Sequence, residues 1–170
     1  MTSADGDDRC VRFFTPTRSW RAILVRTAVV LAAGFVLIQL VPYGRNHSNP
    51  PVTKEPAWDS PVTRTLAQRA CFDCHSNLTK WLWYSNVAPV SWLIQRDVMG
   101  GRSQFNFSQW DKPQDINSGD LADSIRSGSM PPWFYVLPHP NAKLTSAEKT
   151  ALIRGLAATL AASPPIGGGG

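Results

Sequence analysis

The stretch from Ala22 to Val41 limits the architecture more than any other. It reads AILVRTAVVLAAGFVLIQLV and is broken only by Arg26 and Gln39. A helix of about 20 predominantly apolar residues crosses a bilayer core. Arg26 stands near one end, where its long stem can carry the charge back to the headgroups. Trp20 and Tyr43 flank the run as interfacial aromatics do. Pro42 and Gly44 are expected to end the helix. No small-x-small cleavage site follows, since the next residues are Pro42-Tyr43-Gly44-Arg45-Asn46. The expectation is therefore an uncleaved anchor over 22–42 rather than a removed signal peptide.

Charge asymmetry sets the expected orientation. Arg9, Arg12, Arg18, Arg21 and Arg26 precede or enter the apolar run, whereas only Arg45 and Lys54 lie close behind it. Basic flanks stay cytoplasmic, which puts residues 1–21 inside and everything from residue 43 outside, on the periplasmic face of a single-pass inner-membrane protein. Cys10 then sits on the reducing side and needs no partner. Cys71 and Cys74 are the two cysteines of the exported part.

That part reads as an all-α domain. Residues 43–59 lack helical periodicity and are rich in Pro, Asn and Ser, so they form a linker or a strap lying on the domain. Ser60-Pro61 is an N-cap followed by proline at the first helical position, opening a helix from about 61 to 74. Ala88-Pro89 opens a second, with Val90, Leu93, Ile94 and Val98 on one side and Gly100-Gly101 as its stop. Residues 101–112 read as a polar-aromatic loop, and Asp115 to Ser127 as a third, short helix. Thr145-x-x-Glu148 is a capping box that starts a final helix. The domain runs over 60–163, with 164–170 as a frayed tail. Fourteen prolines argue against a bundle of long helices.

The chemistry concentrates at Cys71-Phe72-Asp73-Cys74-His75. CxxCH is the attachment motif of c-type haem. Helix positions i and i+3 share a face, so Cys71 and Cys74 can each reach one vinyl group of a porphyrin. His75 follows directly and can place a ring nitrogen on the iron. A redox CxxC usually precedes a helix in a βαβ setting, which this chain lacks. A zinc site would need two more ligands, and only His47 and His139 remain, without paired spacing.

A second axial ligand must come from another segment. Met130 sits in Ser129-Met130-Pro131-Pro132-Trp133, where prolines stiffen the loop that presents its thioether. Met130 is the expected sixth ligand, with His139 or an open position as alternatives. Met99, at a helix end, reads as core packing.

Two blocks, CFDCHSNLTKWLWYSNVAPVSWLIQRDVMGGRSQFNFSQW and SGSMPPWFYVLPHPNAKLTSAEKTALIRGL, together with the upstream NPPVTKEPAWDSPVTRTLAQRACFDCH, resemble the bacterial haem-binding domain family related to cytochrome c. The resemblance covers residues 48–157. It implies a cytochrome c-like helical domain around one covalent haem c, with Cys71 and Cys74 as attachment sites and His75 as axial ligand. Met130 falls on the family's Met-Pro-Pro block. One departure is visible, because the family often has proline between the two tryptophans where this chain has Leu82.

Trp81, Trp83, Tyr84, Trp92, Trp110, Trp133, Phe134 and Tyr135 read as packing around a large apolar plate. Arg69, Arg96 and Arg102 are candidates to pair with its propionates. From residue 43 on the chain carries twelve Lys/Arg against nine Asp/Glu, without a basic run, so nucleic acid is not an expected partner. No Ser/His/Asp arrangement and no Gly-rich phosphate loop occurs, and no enzyme activity is expected. The expected partners are the bilayer and redox proteins. The expected function is one-electron transfer, with a haem-based redox or gas sensor as the alternative. A peroxidase-like role would need distal acid–base groups, for which His139 is the one candidate.

Overall fold

A computed structural model describes residues 18–167. Cys10, Arg9, Arg12 and the glycines at 168–170 lie outside the described residues. The chain divides into two units, one ending at Val41 and one beginning at Pro42. The first is helix α1 (Arg18–Ile38), which is long and apolar enough to cross a membrane. It starts four residues before the expected span and stops short of Pro42. The N–H groups of Gln39, Leu40 and Val41 bond back only three residues, to the carbonyls of Val36, Leu37 and Ile38, so the end tightens before proline is reached.

The second unit is all-α. It contains α2 (Pro61–Ala70), α3 (Phe72–His75), α4 (Val90–Gln104), α5 (Ser118–Ser127), α6 (Trp133–Val136) and α7 (Ser146–Ala162), with 3-10 turns at Trp83–Asn86 and Pro140–Ala142. Among the described residues no strand forms. The single β-type pairing is an isolated one, Lys54 with Gln109.

Local sequence explains most of the boundaries. Ser60 caps α2 by accepting the Thr63 N–H at 3.2 Å, with Pro61 at the first helical position. Thr63, Leu66, Ala67 and Ala70 form its buried face at helical spacing. Asn117 caps α5 by accepting from the N–H groups of Gly119 and Asp120. At α7, Thr145 accepts from the Glu148 N–H while Glu148 accepts from the Thr145 N–H, which completes the capping box.

Two readings are corrected. The single helix expected over 61–74 breaks at Cys71, whose φ of −126° separates α2 from the four-residue α3. The Gly100-Gly101 pair does not stop the second helix, which continues to Gln104. Gly101 is there for proximity, because a Cβ at this position would fall on the backbone carbonyl of Cys74. α4 therefore crosses α3 with nothing but a hydrogen atom between the two backbones.

The stretch read as a polar-aromatic loop after residue 104 is the centre of the core. Phe107 and Trp110 are buried with Leu66, Phe72, Ile125, Leu152 and Leu156. The Phe107 ring lies 5.1 Å from that of Trp58, 5.5 Å from Phe72 and 5.8 Å from Trp110. Polar residues inside this segment are satisfied rather than solvated. Asn106 donates to Asn77 at 2.8 Å, and the Ser108 hydroxyl accepts the Asn77 N–H at 2.9 Å.

Residues 44–59 lie along the domain as a strap. Thr53 N–H donates to the Ser108 carbonyl, and Trp110 N–H donates to that of Lys54. Glu55 receives both the Nε and Nη2 of Arg64 at 2.8 Å, plus the Trp58 indole at 2.9 Å. The Arg64 guanidinium, first among these, holds the Glu55 carboxyl below its ordinary range. The start of the tail touches the domain. Pro165 is buried, and the Ile166 carbonyl accepts the Gln114 N–H at 3.0 Å.

Glu148 supplies a pH-dependent contribution. The Thr145 backbone N–H, then the Arg69 guanidinium and the Thr145 hydroxyl, hold its carboxyl down at about 2 from an ordinary 4.5. A depressed carboxylate stabilises the fold above its unfolded-state value and loses that contribution as pH falls through the folded one. Glu148→Gln is therefore expected to lower stability at pH 6 and to flatten the decline between pH 4.5 and 2. Thermal unfolding of both forms across that window checks it.

Candidate functional site

The site is built where α3, the end of α4 and the loop before α6 meet. Cys71 lies at the junction of α2 and α3, and one tight turn follows. The N–H groups of Cys74 and His75 bond to the Cys71 carbonyl at 3.2 and 2.8 Å. The two residues between the cysteines point to different tasks. Phe72 is buried against Phe107, which anchors the turn in the core. Asp73 accepts the Tyr135 hydroxyl at 2.7 Å and the Lys80 N–H at 3.0 Å.

Two cavities adjoin here. One, of about 530 Å³, is lined by Cys71, Phe105, Ile116, Leu121 and Ile125; the other, of about 780 Å³, by Cys74, Leu82, Val90, Leu93 and Phe134. His75, Gln104 and Met130 line both. The larger lies within the usual range of small-molecule and cofactor sites, as does the smaller. Leu82, Val90, Leu93, Met130 and Phe134 are large apolar side chains left exposed at these walls, while Leu66, Leu144, Leu152 and Leu156 are buried. A flat apolar ligand spanning the two cavities would cover them and would meet Cys71 at the smaller and Cys74 at the larger. The expected inward packing of Val90 and Leu93 is thus met by the cavity rather than by protein.

His75 is only 6% exposed. Its ring stacks on Phe105 at 4.0 Å, and its Nδ1 lies 3.4 Å from the Phe105 carbonyl. Burial pushes the imidazole below its ordinary value, partly countered by the carbonyls of Phe105 and Gly101. The ring is therefore neutral at pH 7. With Nδ1–H donating to a carbonyl, Nε2 keeps a lone pair, the arrangement typical of a metal-ligating histidine.

The thiols have a different character. Cys71 and Cys74 are free. Burial pushes both up to about 12, reinforced at Cys71 by Cys74 and at Cys74 by Asp73 and Asp97, with Arg102 opposing. A redox-exchange pair needs an accessible thiolate, which this setting suppresses. Among the described residues no group of three or more His, Cys, Asp or Glu is gathered to hold a bare metal ion.

The other two histidines have their own partners, His139 at the wall of the larger cavity and His47 away from both cavities. His139 stacks on Tyr135 at 4.2 Å, its Nδ1–H donating to the Tyr135 carbonyl at 2.8 Å while its Nε2 accepts the Tyr84 hydroxyl at 3.1 Å. Both nitrogens are used. His47 stacks on Trp81 and donates from Nε2 to the Ser85 carbonyl, and it lines neither cavity. Met130 is 37% exposed and faces both cavities, and its N–H is held by the Ser124 carbonyl at 3.0 Å. Met99, read as core, is instead exposed on α4.

Of the three arginines considered as anion partners, two are structural. Arg69 pairs with Glu148 at 2.7 Å and donates to the Asn141 carbonyl. Arg102 donates to the carbonyls of Ser76 and Ser48, to Asn49 Oδ1 and to Thr79 Oγ1, tying strap, α4 and the α3 exit together. Arg96 lines the larger cavity and pairs with its neighbour Asp97 at 3.0 Å. The aromatic set divides likewise. Trp110 is core, Trp81, Tyr84, Phe134 and Tyr135 line the larger cavity, and Trp83 and Trp133 are 79% and 73% exposed.

Sequence reasoning missed Gly101, Phe105 and Asp73. Phe105 carried no periodic signal, and Gly101 looked like a helix stop. Asp73 stood in plain view as a spacer inside the motif; its partner, 62 residues away in sequence, did not.

No curated protein and no solved structure matches the chain. A family model described as haem-binding domain matches residues 33–158, from the last turns of α1 through most of α7. That span takes in every residue of the two cavities, and the neutral, carbonyl-anchored His75 between apolar walls suits an iron porphyrin. The chain thus belongs to the haem-binding domain family, and haem is the cofactor its site serves.

Proposed function

We propose that this chain is a membrane-anchored, extracytoplasmic carrier of single electrons that binds one haem c. Cys71 and Cys74 would hold the cofactor through thioethers, and His75 and Met130 would be its axial ligands. When bound, the cofactor supplies a reversible one-electron couple. The observation that carries this reading is that His75 and Met130 line the same two adjoining cavities, while His47 lines neither and His139, at the wall of the larger one, has both ring nitrogens hydrogen-bonded.

The chain's own residues support it as follows. The Phe105 carbonyl fixes the His75 tautomer, and the Phe105 ring fixes its plane. Met130 offers an uncharged thioether, which raises the potential relative to a second imidazole. A carrier profits from two filled axial positions and needs no acid–base group beside the iron. Tyr135 and His139 already spend their polar atoms on Asp73 and Tyr84. The apolar α1 fits an anchor, and its arginine-rich N-terminal side fits a cytoplasmic start. Exchange partners would be redox proteins at the same membrane face.

The test is the ferric optical spectrum of the full chain in detergent. Wild type is expected to show the methionine-to-iron charge-transfer band. Met130→Ala is expected to lose it while keeping covalent haem, with a lower potential and rapid carbon monoxide binding to the reduced form. A band unchanged in Met130→Ala removes the ligand assignment. Rapid carbon monoxide binding by the wild type would instead favour a sensor.

A further inference from the structure

We infer that Tyr135 and Asp73 are positioning residues for the sixth coordination position, the phenol–carboxylate hydrogen bond between them holding Met130 in place. The inference rests on the assignment of Met130 as a ligand and goes beyond it. It concerns what keeps a methionine on an exposed loop within reach of the site.

Two attachments are visible on the loop. Upstream, Met130 N–H and Ser129 Oγ both bond to the Ser124 carbonyl, at 3.0 and 3.1 Å, near the end of α5. Downstream, Pro131 and Pro132 pass directly into α6, with the N–H groups of Tyr135 and Val136 bonding to the Pro132 carbonyl at 3.0 and 3.1 Å. Two prolines and one helical turn make this a stiff link of four residues between Met130 and Tyr135. Wherever Tyr135 is fixed, Met130 follows.

α6 itself has little else to fix it. None of its residues is buried, and among the helices and 3-10 turns its backbone packs on the 3-10 turn that follows it. Its anchorage comes from side chains. The Tyr135 hydroxyl donates to Asp73 Oδ2 at 2.7 Å, a charge-assisted bond and therefore a strong one. His139 stacks on the same Tyr135 ring and receives the Tyr84 hydroxyl, buttressing it from the far side. Asp73 is in turn held by the Lys80 N–H, and it lies in α3 two residues before His75. One bond thus ties the segment carrying Met130 to the turn carrying Cys71, Cys74 and His75.

The experiment compares wild type, Tyr135→Phe, Asp73→Ala and the double variant, each as the full haem-loaded chain, with loading checked by haem stain on a denaturing gel. The readouts are the methionine–iron band of the ferric protein and the carbon monoxide association rate of the reduced protein. Losing a hydrogen bond to a charged acceptor is expected to shift the bound-to-released methionine equilibrium by about tenfold. Each single variant should show a weakened band and roughly tenfold faster carbon monoxide binding on that ground. The double variant should be no worse than the worse single one, since both act through one bond. A wild-type band that survives undiminished in both single variants overturns the inference and leaves the Met130 assignment standing. Additive losses in the double variant overturn it too. A wild type without the band removes the assignment and the inference together. If Tyr135→Phe fails to load, Asp73→Ala alone decides by the same readouts.

Discussion

The double substitution Cys71→Ala/Cys74→Ala is expected to abolish covalent haem completely. A haem-stained denaturing gel of membranes from cells that load the wild type should show no signal at the size of this 18.7 kDa chain, with the protein present by immunoblot. Any haem left after denaturation and solvent extraction would refute the attachment. The reasons are local. These two thiols line the two cavities, Cys71 the smaller and Cys74 the larger, and the third cysteine of the chain lies in the stretch preceding the apolar run. The fold does not depend on the thiols as such. Phe72, between them, is the residue that ties the turn into the core, and the variant leaves it untouched. Each single variant should keep a reduced stain, because one thioether still survives denaturation.

Gly101→Ala is the second large effect, and Gly100→Ala is its internal control. A Cβ at residue 101 meets the Cys74 backbone, which cannot rotate aside as a side chain could. α4 or α3 must shift. Forcing a methyl group into such a contact costs about 1–3 kcal/mol in a well-packed core. Here the displaced backbone also carries Cys74 and His75, so haem loading should fall with stability. At residue 100, one position earlier on the same helix, a Cβ meets open space. Alanine there should stabilise the helix by roughly 0.5–1 kcal/mol, through the entropy glycine loses on folding. Thermal unfolding of both variants, with haem stain on each, checks the contrast. Equal behaviour of the two would show that the close crossing of α3 and α4 is not what Gly101 serves.

The two glycines also mark how far the residues alone could be read. A Gly-Gly pair at the end of an apolar-periodic stretch signals a helix stop, and that signal was misleading here. The penalty for glycine inside a helix is under about 1 kcal/mol each, which a close helix crossing readily offsets. Residues 105–110 remain the loop their sequence suggests, but one that enters the core: Asn106 and Ser108 find partners on Asn77, and Phe107 fills the centre. Two helix starts were legible from neighbours a few residues away: Thr145 with Glu148 and Ser60 with Pro61 behave as their local chemistry dictates.

The site divides along the same line. His75 and the two cysteines lie within five residues, so the motif and its gathering on one turn were legible. Met130 was legible as a candidate, because prolines beside a methionine are a local pattern. What engages the ring of His139 was not. Its two nitrogens are occupied by groups at positions 135 and 84, and the Tyr84 partner lies 55 residues off.

From the sequence alone came the all-α class, one apolar helix able to span a membrane, the CxxCH turn and the family it signals. These rest on short-range chemistry: periodicity, caps and motif spacing within a few residues. Only the tertiary structure decided that His75 is buried neutral against Phe105 and that Arg69 and Arg102 serve the fold. It alone placed Asp73 of the motif in the grip of Tyr135 beyond Met130. Those outcomes depend on which distant segments share a hydrogen bond or exclude water together, and a side chain's desolvation and partners exist only once the chain has closed around it.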